Sequence, residues 1–213
     1  MSGWYKLILR AQKIRCGKGL RLLGAPVIAK AKGARILIGK DVVIKSSFLS
    51  NLLGLYGRSV ITARTPGSEI IIGDQVGISG AAIYARSRIS IGDGTLIGAN
   101  VKILDSDLHP HSARARREAE RSLREAAASR RVFSGLLSRQ EWIPEEKSEI
   151  PSCPIQIGRD CFIGCNAIIL KGTVLEDRCI VGAGAVVSGK FEHDSVIVGN
   201  PARVIRQDQE ETA

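Results

Sequence analysis

Residues 157–187 read IGRDCFIGCNAIILKGTVLEDRCIVGAGAVV, and an aliphatic side chain returns in this stretch at every sixth position. The recurring positions are Ile157, Ile163, Ile169, Leu175, Val181 and Val187, and small residues stand four places after the first five of them: Cys161, Ala167, Thr173, Cys179 and Ala185. Neither an α-helix, with a period of about 3.6, nor a simple alternating strand produces a strict period of six. Six is a multiple of two, so side chains can alternate inward and outward within each unit, as a strand requires. The pattern therefore predicts a parallel β-helix of stacked hexapeptide repeats.

The same period appears earlier in the chain. It covers Ile72, Ile78 and Tyr84, resumes after a one-residue slip at Ile91, Ile97 and Ile103, and begins near Ile38 and Ile44; glycine follows directly at Gly39, Gly73, Gly92, Gly98, Gly158, Gly164 and Gly182. Glycines and small residues allow a corner at the end of each unit. If three units make one coil, Cys161 and Cys179 stack on each other in the core. We expect an all-β fold.

Composition limits the class of protein. A chain of 213 residues suits one sizeable domain, and aromatic residues make up only 4% of it, so branched aliphatics must fill the core. The apolar stretches are shorter than the roughly 18–20 residues of a membrane span, and the first residues do not resemble a secretion signal. The five cysteines form an odd set without framework spacing. We expect a cytoplasmic protein with reduced thiols.

The formal net charge of +10 favours anionic partners. Nucleic acid is not expected, because the basic residues are not interleaved with stacking aromatics. An anionic small molecule, an acidic saccharide and a membrane surface stay open as partners. Cys161 and Cys165 have a loose metal-ligand spacing, but no second pair follows, so no metal site is expected.

The repeat divides the chain into five parts: residues 1–35 (N-terminal cap and first irregular coil), 36–107 (β-helix), 108–150 (inserted charged loop, partly helical), 151–206 (C-terminal coils) and 207–213 (tail). Residues 46–66 break the pattern and predict a loop out of a coil. The Ala, Arg and Glu of the insertion predict a solvated, salt-bridged helix; alternatively, its arginines grip an acidic acceptor. The segment from Trp4 to Lys13 is expected to cap the core rather than to contact a membrane.

Two of the three histidines lie together in Asp105-Ser106-Asp107-Leu108-His109-Pro110-His111, where the repeat gives way to the insertion. A histidine is suited to proton transfer near neutral pH, and a nearby carboxylate can fix its tautomer. Asp and Pro are also ordinary turn residues, so an exposed loop without chemistry explains the same letters. The residues alone leave both interpretations open.

The hexads, the Asp-x-Asp-x-His-Pro motif and the segment from Val198 to Arg206 (VGNPARVIR) together resemble the left-handed β-helix acyltransferases. The branch most similar is that of the maltose and galactoside O-acetyltransferases and their polysaccharide-modifying relatives. The resemblance implies left-handed coiling, a homotrimer, and acetyl transfer from acetyl-CoA, as co-substrate rather than bound cofactor, to a saccharide hydroxyl. It makes His109 the general base, with Asp105 or Asp107 orienting it and His111 as a bystander.

The resemblance also assigns binding residues. For CoA they are Cys165, Ala183, Ser188, Lys190, Arg203 and Arg206, and for the acceptor Tyr84 and Arg86. Three positions depart from the family pattern: Cys165 stands where Ser is common, Ser188 and Gly189 replace Thr-Lys with Lys190 one place later, and Arg86 replaces Asn. Arginines suit the phosphates of CoA, because guanidinium groups bind phosphate in bidentate geometry.

Two other functions stay open. One is an acyltransferase of the same fold that acts on an amino sugar, by N-acetylation, or on an antibiotic hydroxyl. The other is a non-catalytic β-helix that serves as a scaffold and needs none of His109, Arg203 and Arg206.

Overall fold

Three sheets form the faces of a parallel β-helix in a computed structural model that describes residues 3–129 and 150–207. Sheet A contains β1 (Arg15–Cys16), β4 (Arg35–Ile38), β7 (Glu69–Ile72), β10 (Arg88–Ile91), β13 (Ile155–Ile157), β16 (Val174–Leu175) and β19 (Lys190–Phe191). Sheet B contains β2 (Arg21–Gly24), β5 (Val43–Ser46), β8 (Gly77–Ser79), β11 (Leu96–Ile97), β14 (Phe162–Ile163), β17 (Ile180–Val181), β20 (Ser195–Gly199) and β21 (Ala202–Gln207). Sheet C contains β3 (Val27–Lys30), β6 (Val60–Ala63), β9 (Ala82–Ala85), β12 (Lys102–Leu104), β15 (Ile168–Ile169) and β18 (Val186–Val187).

The chain visits the sheets in the order A, B, C, and each circuit is one coil. Coil 1 is β1–β3, coil 2 is β4–β6, and the count continues to coil 6 (β16–β18) and a partial coil 7 (β19 and β20). We name the corners AB, BC and CA after the sheets they join. Neighbouring strands pair in parallel between coils, whereas β21 pairs antiparallel with β20. The parallel β-helix predicted from the hexads is thus confirmed.

The core is the column of inward side chains inside the coils. Ile157, Ile163, Ile169, Leu175, Val181 and Val187 are all at most 2% exposed. Cys161 and Cys179 are buried one above the other, as the repeat length predicted. Glycine at the corners permits this stacking: a Cβ on Gly164 would lie 2.6 Å from the backbone nitrogen of Ala183. Gly98 is restricted in the same way, since its Cβ would lie 2.7 Å from the carbonyl oxygen of Ile163.

The assignment of Tyr84 to the inward repeat is wrong. Ile83 occupies the buried position, in register with Ile103, and Tyr84 lies beside Leu104 on the outer side of sheet C. The step from Ile78 to Ile83 is therefore five residues, at a corner where Gly80 has a φ of 57°, and the step from Ile83 to Ile91 is eight residues. The loop expected within residues 46–66 is residues 47–59, and the segment also contains β6 (Val60–Ala63), with Ile61 fully buried.

Two helices flank the coils. Helix α1 (Gly3–Ala11) packs Leu9 against the core at the coil 1 end, and the hydroxyl of Tyr5 donates to the carbonyl of Pro26. Helix α2 (Ala113–Ser129) confirms the helix in the insertion and carries ion pairs four residues apart, such as Arg114 with Glu118 at 3.1 Å. The rest of the insertion, residues 130–149, and residues 208–213 of the tail lie outside the described residues. No helix in the described part of the chain is long and apolar enough to cross a membrane.

Candidate functional site

The insertion leaves and rejoins the β-helix at the CA corner of coil 4. The backbone N–H of Asp107 donates to the carbonyl of Pro151 at 3.1 Å, and the N–H of Cys153 donates to the carbonyl of Asp105 at 2.8 Å. These bonds close the base of the insertion, so the coil stack continues unbroken into β13. The segment with both histidines begins at this clamped base.

His109 is exposed at the CA corner, between the buried side chain of Pro110 and Leu108, whose φ is 64°. Arg116 of α2 fixes the turn beyond it, donating from one guanidinium nitrogen to the carbonyls of Pro110 at 3.1 Å and His111 at 2.6 Å. Within the described residues the imidazole of His109 has no hydrogen-bond partner. The structure thus presents His109 outward, where a substrate can reach it.

The carboxylate of Asp105 points into the corner and not to His109. It is fully buried and accepts hydrogen bonds from the backbone N–H groups of Arg86 and Ser87, both at 2.7 Å. Burial raises the pKa of Asp105, and the donated backbone hydrogen bonds oppose that shift. In this arrangement Asp105 joins coil 4 to coil 3, a task that explains its burial without any catalytic role.

Asp107 binds the other histidine. One of its carboxylate oxygens contacts Nε2 of His111 at 2.5 Å and also accepts from the Lys171 ammonium. Lys171, then His111, hold the pKa of the Asp107 carboxyl below its ordinary value. Neither Asp105 nor Asp107 forms a hydrogen bond with His109 in this structure. Instead, the carboxylate of Asp107 binds His111, the histidine that was expected to be a bystander.

Sequence reasoning missed Lys171. It lies between β15 and β16, one coil beyond Asp107 and 64 residues away in the chain. Its corner position, adjacent to Gly172, is a weak signal that a stacked alignment of coils could have found. The sequence placed Arg116 on a solvated helix or against an acidic acceptor, and did not predict that it holds the turn that carries His109.

Four of the six expected donor residues divide between two corners. Cys165 and Ala183 lie at the BC corner, one coil apart, where the N–H of Gly184 donates to the carbonyl of Cys165 at 2.9 Å. Ser188 and Lys190 lie at the CA corner, at the end of β18 and in β19. All four are at least partly exposed. The CA corner thus holds His109, His111 and two of the expected CoA-binding residues, and sheet C separates this corner from Cys165 and Ala183.

Arg203 and Arg206 lie on β21, which folds back beside β20 after a cis peptide bond between Asn200 and Pro201. Both side chains are exposed, and one guanidinium nitrogen of Arg203 donates to the carbonyl of Ala202 at 2.8 Å. The two residues pair with Val198 and Val196 respectively. They place two basic side chains on sheet B at the C-terminal end of the stack.

The expected acceptor residues lie one coil before His109. Tyr84 is half-buried on sheet C, and Arg86 follows it at the CA corner, its backbone bonded to the Asp105 carboxylate. The hydroxyl of Thr65 donates to the carbonyl of Arg86 at 2.5 Å. The structure therefore brings Tyr84, Arg86, Asp105, Asp107 and His109 to the same edge of the β-helix. No group of three or more potential metal ligands is present in the described residues.

The described residues form a parallel β-helix of six-residue units, with an insertion at the CA corner of coil 4 and with His109 and His111 at the base of that insertion. The family model described as "Hexapeptide repeat of succinyl-transferase" matches residues 88–103 and 154–188. The match covers 51 of the 213 residues, so these two segments of the chain are similar to the repeat of that family.

Two curated relatives share segments of this repeat. The putative lipopolysaccharide biosynthesis O-acetyl transferase WbbJ of Escherichia coli (strain K12) is 34% identical over 70 residues, which are 33% of this chain and 36% of WbbJ. The 2,3,4,5-tetrahydropyridine-2,6-dicarboxylate N-acetyltransferase of Staphylococcus aureus (strain JH9) is 43% identical over 63 residues, 29% of this chain and 26% of that enzyme. The matches thus span about a third or less of these relatives' lengths.

A solved structure extends the likeness over nearly the whole chain. A single-residue mutant of AntD, an N-acyltransferase from Bacillus cereus in complex with dTDP-4-amino-4,6-dideoxyglucose and coenzyme A, aligns with a TM-score of 0.63 at 17% identity. The alignment covers 97% of this chain and 90% of AntD. This likeness concerns the fold, and the predicted class, a left-handed parallel β-helix, is confirmed.

Proposed function

We propose that this chain transfers an acetyl group from acetyl-CoA to a hydroxyl group of a saccharide. The observation that carries the proposal is the CA corner, where the exposed imidazole of His109 stands one coil from Tyr84 and Arg86. The match to the hexapeptide-repeat model of succinyl-transferase supports acyl transfer, and the similarity to WbbJ, an O-acetyl transferase by name, supports oxygen as the acceptor atom.

The mechanism needs no enzyme-bound acyl group. His109 takes the proton from the acceptor hydroxyl while that oxygen attacks the thioester carbonyl of acetyl-CoA. The C–S bond then breaks, and the imidazolium of His109 returns the proton to the CoA thiolate. Residues of this chain bind both substrates so that the two reacting atoms lie within contact distance. Asp105 supports the corner through the backbone of Arg86 and Ser87 rather than through His109.

The donor site is proposed to need two protomers of a homotrimer. His109 lies at the CA corner and Cys165 and Ala183 at the BC corner, so one chain does not place them together. Outward side chains of sheet B form an apolar column in register, Leu96, Phe162 and Ile180, each 38–52% exposed. A second copy of the chain on this face would bury the column and bring its CA corner, with His109, next to the BC corner of the first chain.

A complementation experiment tests the shared site. We expect Ala183→Trp to block CoA at the BC corner and His109→Ala to remove the base, so that each variant alone is inactive. When equal amounts of the two variants mix at random in a closed ring of three, about a quarter of the clefts combine an intact His109 from one chain with an intact Ala183 from its neighbour. Recovery of about a quarter of wild-type activity supports a shared site, whereas a site within one chain gives no recovery.

An amino-sugar acceptor is the second candidate. It rests on AntD, an N-acyltransferase whose structure contains an aminodeoxyglucose nucleotide and whose fold covers nearly all of this chain. The assay that separates the candidates is thiol release from acetyl-CoA across matched sugars, amino sugars and oligosaccharides. Release with neutral and acidic saccharides supports the proposal, release only with amino sugars supports N-acetylation, and no release with any acceptor contradicts both.

A further inference from the structure

An exposed apolar loop leaves coil 2 at the BC corner. It comprises residues 47–59, between β5 and β6, and includes the short 3-10 helix Phe48–Ser50. Five large side chains within nine residues are 72–94% exposed: Phe48, Leu49, Leu52, Leu53 and Tyr56. The equivalent corner of coil 4 connects β11 to β12 with four residues, 98–101. A connection alone therefore does not require this loop, which we call the apolar loop.

The apolar loop is held in place by contacts with coils 3 and 4, so its five exposed side chains belong to an ordered segment. Leu55 is buried and packs against Gly80 of coil 3, so closely that a Cβ added to Gly80 would lie 2.9 Å from Cδ2 of Leu55. The side chain of Asn100 in coil 4 accepts from the N–H of Tyr56 at 2.9 Å and donates to the carbonyl of Gly54 at 3.0 Å. One leucine faces the β-helix, and the five exposed side chains are held on the outside.

The charge of the chain is concentrated in the same coils. Residues 1–68 contain 13 of the 31 Lys and Arg residues and only one of the 21 acidic residues, Asp41. The remaining residues contain 18 basic and 20 acidic side chains and are almost neutral. Because the coils stack in sequence order, the positive charge lies at the end of the β-helix formed by coils 1 and 2. Lys18, Arg21 and Lys32 are exposed there.

We propose that the apolar loop and the basic coils 1 and 2 form a docking surface for an anionic lipid bilayer. The apolar side chains enter the interfacial region of the membrane, and the lysines and arginines meet anionic headgroups. This surface differs from the N-terminal helix considered from the sequence, since α1 turns Leu9 into the core.

The chemistry favours a bilayer over other occupants. A saccharide needs hydrogen-bond partners, but between Phe48 and Tyr56 only Ser50 and Asn51 have polar side chains. A second copy stacked end to end on this surface would press two strongly positive ends face to face, which costs free energy at low salt. An anionic bilayer satisfies both features, because it offers an apolar layer beneath negative charge.

Co-sedimentation with lipid vesicles tests the proposal on the full-length protein without acetyl-CoA. Vesicles of phosphatidylcholine are compared with vesicles that also contain phosphatidylglycerol, at low and high salt. We expect binding to the anionic vesicles only, weakened by salt. The double variant Leu52→Ser/Leu53→Ser should bind at least about tenfold more weakly, because two aliphatic side chains no longer enter the membrane. Ile205→Ser, at an exposed position on β21, is the matched control and should bind as the wild type.

The charge contribution has its own matched pair. Lys18→Glu/Lys32→Glu should lower binding at low salt about tenfold or more, and Arg114→Glu/Arg117→Glu on α2 changes net charge equally but should lower it less than about threefold. Wild-type protein that stays in the supernatant with anionic vesicles overturns the proposal. Equal binding of the wild type and of Leu52→Ser/Leu53→Ser also overturns it. If neither protein binds vesicles but light scattering shows that the variant has a different oligomer mass from the wild type, the loop makes contacts between copies instead. Because binding is measured without catalysis, failure of acetyl transfer leaves this test intact.

Discussion

Asp105→Ala removes a fully buried carboxylate whose oxygens accept hydrogen bonds from the backbone N–H groups of Arg86 and Ser87. A hydrogen bond to a charged group contributes about 1.5–3 kcal/mol, and the variant leaves two donors without a partner. Burying the charge has a cost that the variant recovers in part, so we expect a net loss of about 2–4 kcal/mol. For a chain of this length, that lowers Tm by about 5–15 °C.

The assay is thermal unfolding followed by circular dichroism, with Asp107→Ala as the control. The Asp107 side chain is 27% exposed and its ion pair is worth less than about 1 kcal/mol, so its Tm should fall by less than about 4 °C. Since the folded-state pKa of Asp105 is raised, protonation favours the folded state, and the wild type gains stability from this group as pH falls toward the unfolded value. The Tm difference between wild type and Asp105→Ala should therefore grow between about pH 7 and pH 4.

One result would refute this reasoning. If Asp105→Ala keeps the wild-type Tm but loses turnover, its carboxylate acts on the chemistry and not on the backbone of coil 3. A loss of Tm with kcat per folded enzyme within a few-fold of wild type supports the structural role.

Three further predictions concern other parts of the molecule. Phe162→Asp/Ile180→Asp places charge on the apolar column of sheet B, so light scattering should report a monomer for this variant and the proposed trimer for the wild type; an unchanged mass would exclude that face. Hydrogen bonds from Arg178 lower the pKa of Asp194 in the folded protein. This carboxylate therefore stabilises the fold at a pH above its unfolded pKa, and the stabilisation is lost as the pH falls through its lower, folded-state pKa. Asp194→Asn should therefore lower stability at neutral pH and flatten its decline below about pH 4, measured by urea unfolding at several pH values; identical pH profiles would contradict the shift. Arg203→Ala/Arg206→Ala should raise the KM for acetyl-CoA with a smaller change in kcat, and calorimetric titration at two salt concentrations should give it the weaker salt dependence; equal affinities would remove both arginines from the CoA site.

The sequence predicted the fold where side chains alternate strictly. From Ile157 to Val187 every sixth residue is aliphatic and points inward, so six letters define one face of one coil. Before Ile91 this regularity is weaker. The five-residue step from Ile78 to Ile83 depends on the backbone of Gly80, which a period of six does not reveal. Strand β6 was hidden for a similar reason, because the apolar loop interrupts coil 2 ahead of it.

The site was predictable in its location but not in its contacts. The Asp-x-Asp-x-His-Pro motif led to the CA corner, and the resemblance led to His109. The partners of the two aspartates depend on residues far apart in the chain: Asp105 binds the backbone of the previous coil, and Asp107 binds Lys171 of a later one. Such bonds follow from coil stacking, which requires the register between coils to be known first.

The rate of thiol release by His109→Ala tests the proposed base most directly. With saturating acetyl-CoA and the acceptor that the wild type uses, we expect turnover to fall by about 100 to 10,000-fold, because proton transfer from the acceptor loses its base. CoA affinity should stay nearly unchanged, and His111→Ala should keep most of its activity although His111 is the histidine bonded to Asp107. A His109→Ala enzyme that keeps half of the wild-type rate, while His111→Ala loses it, would contradict the account and move the base to His111.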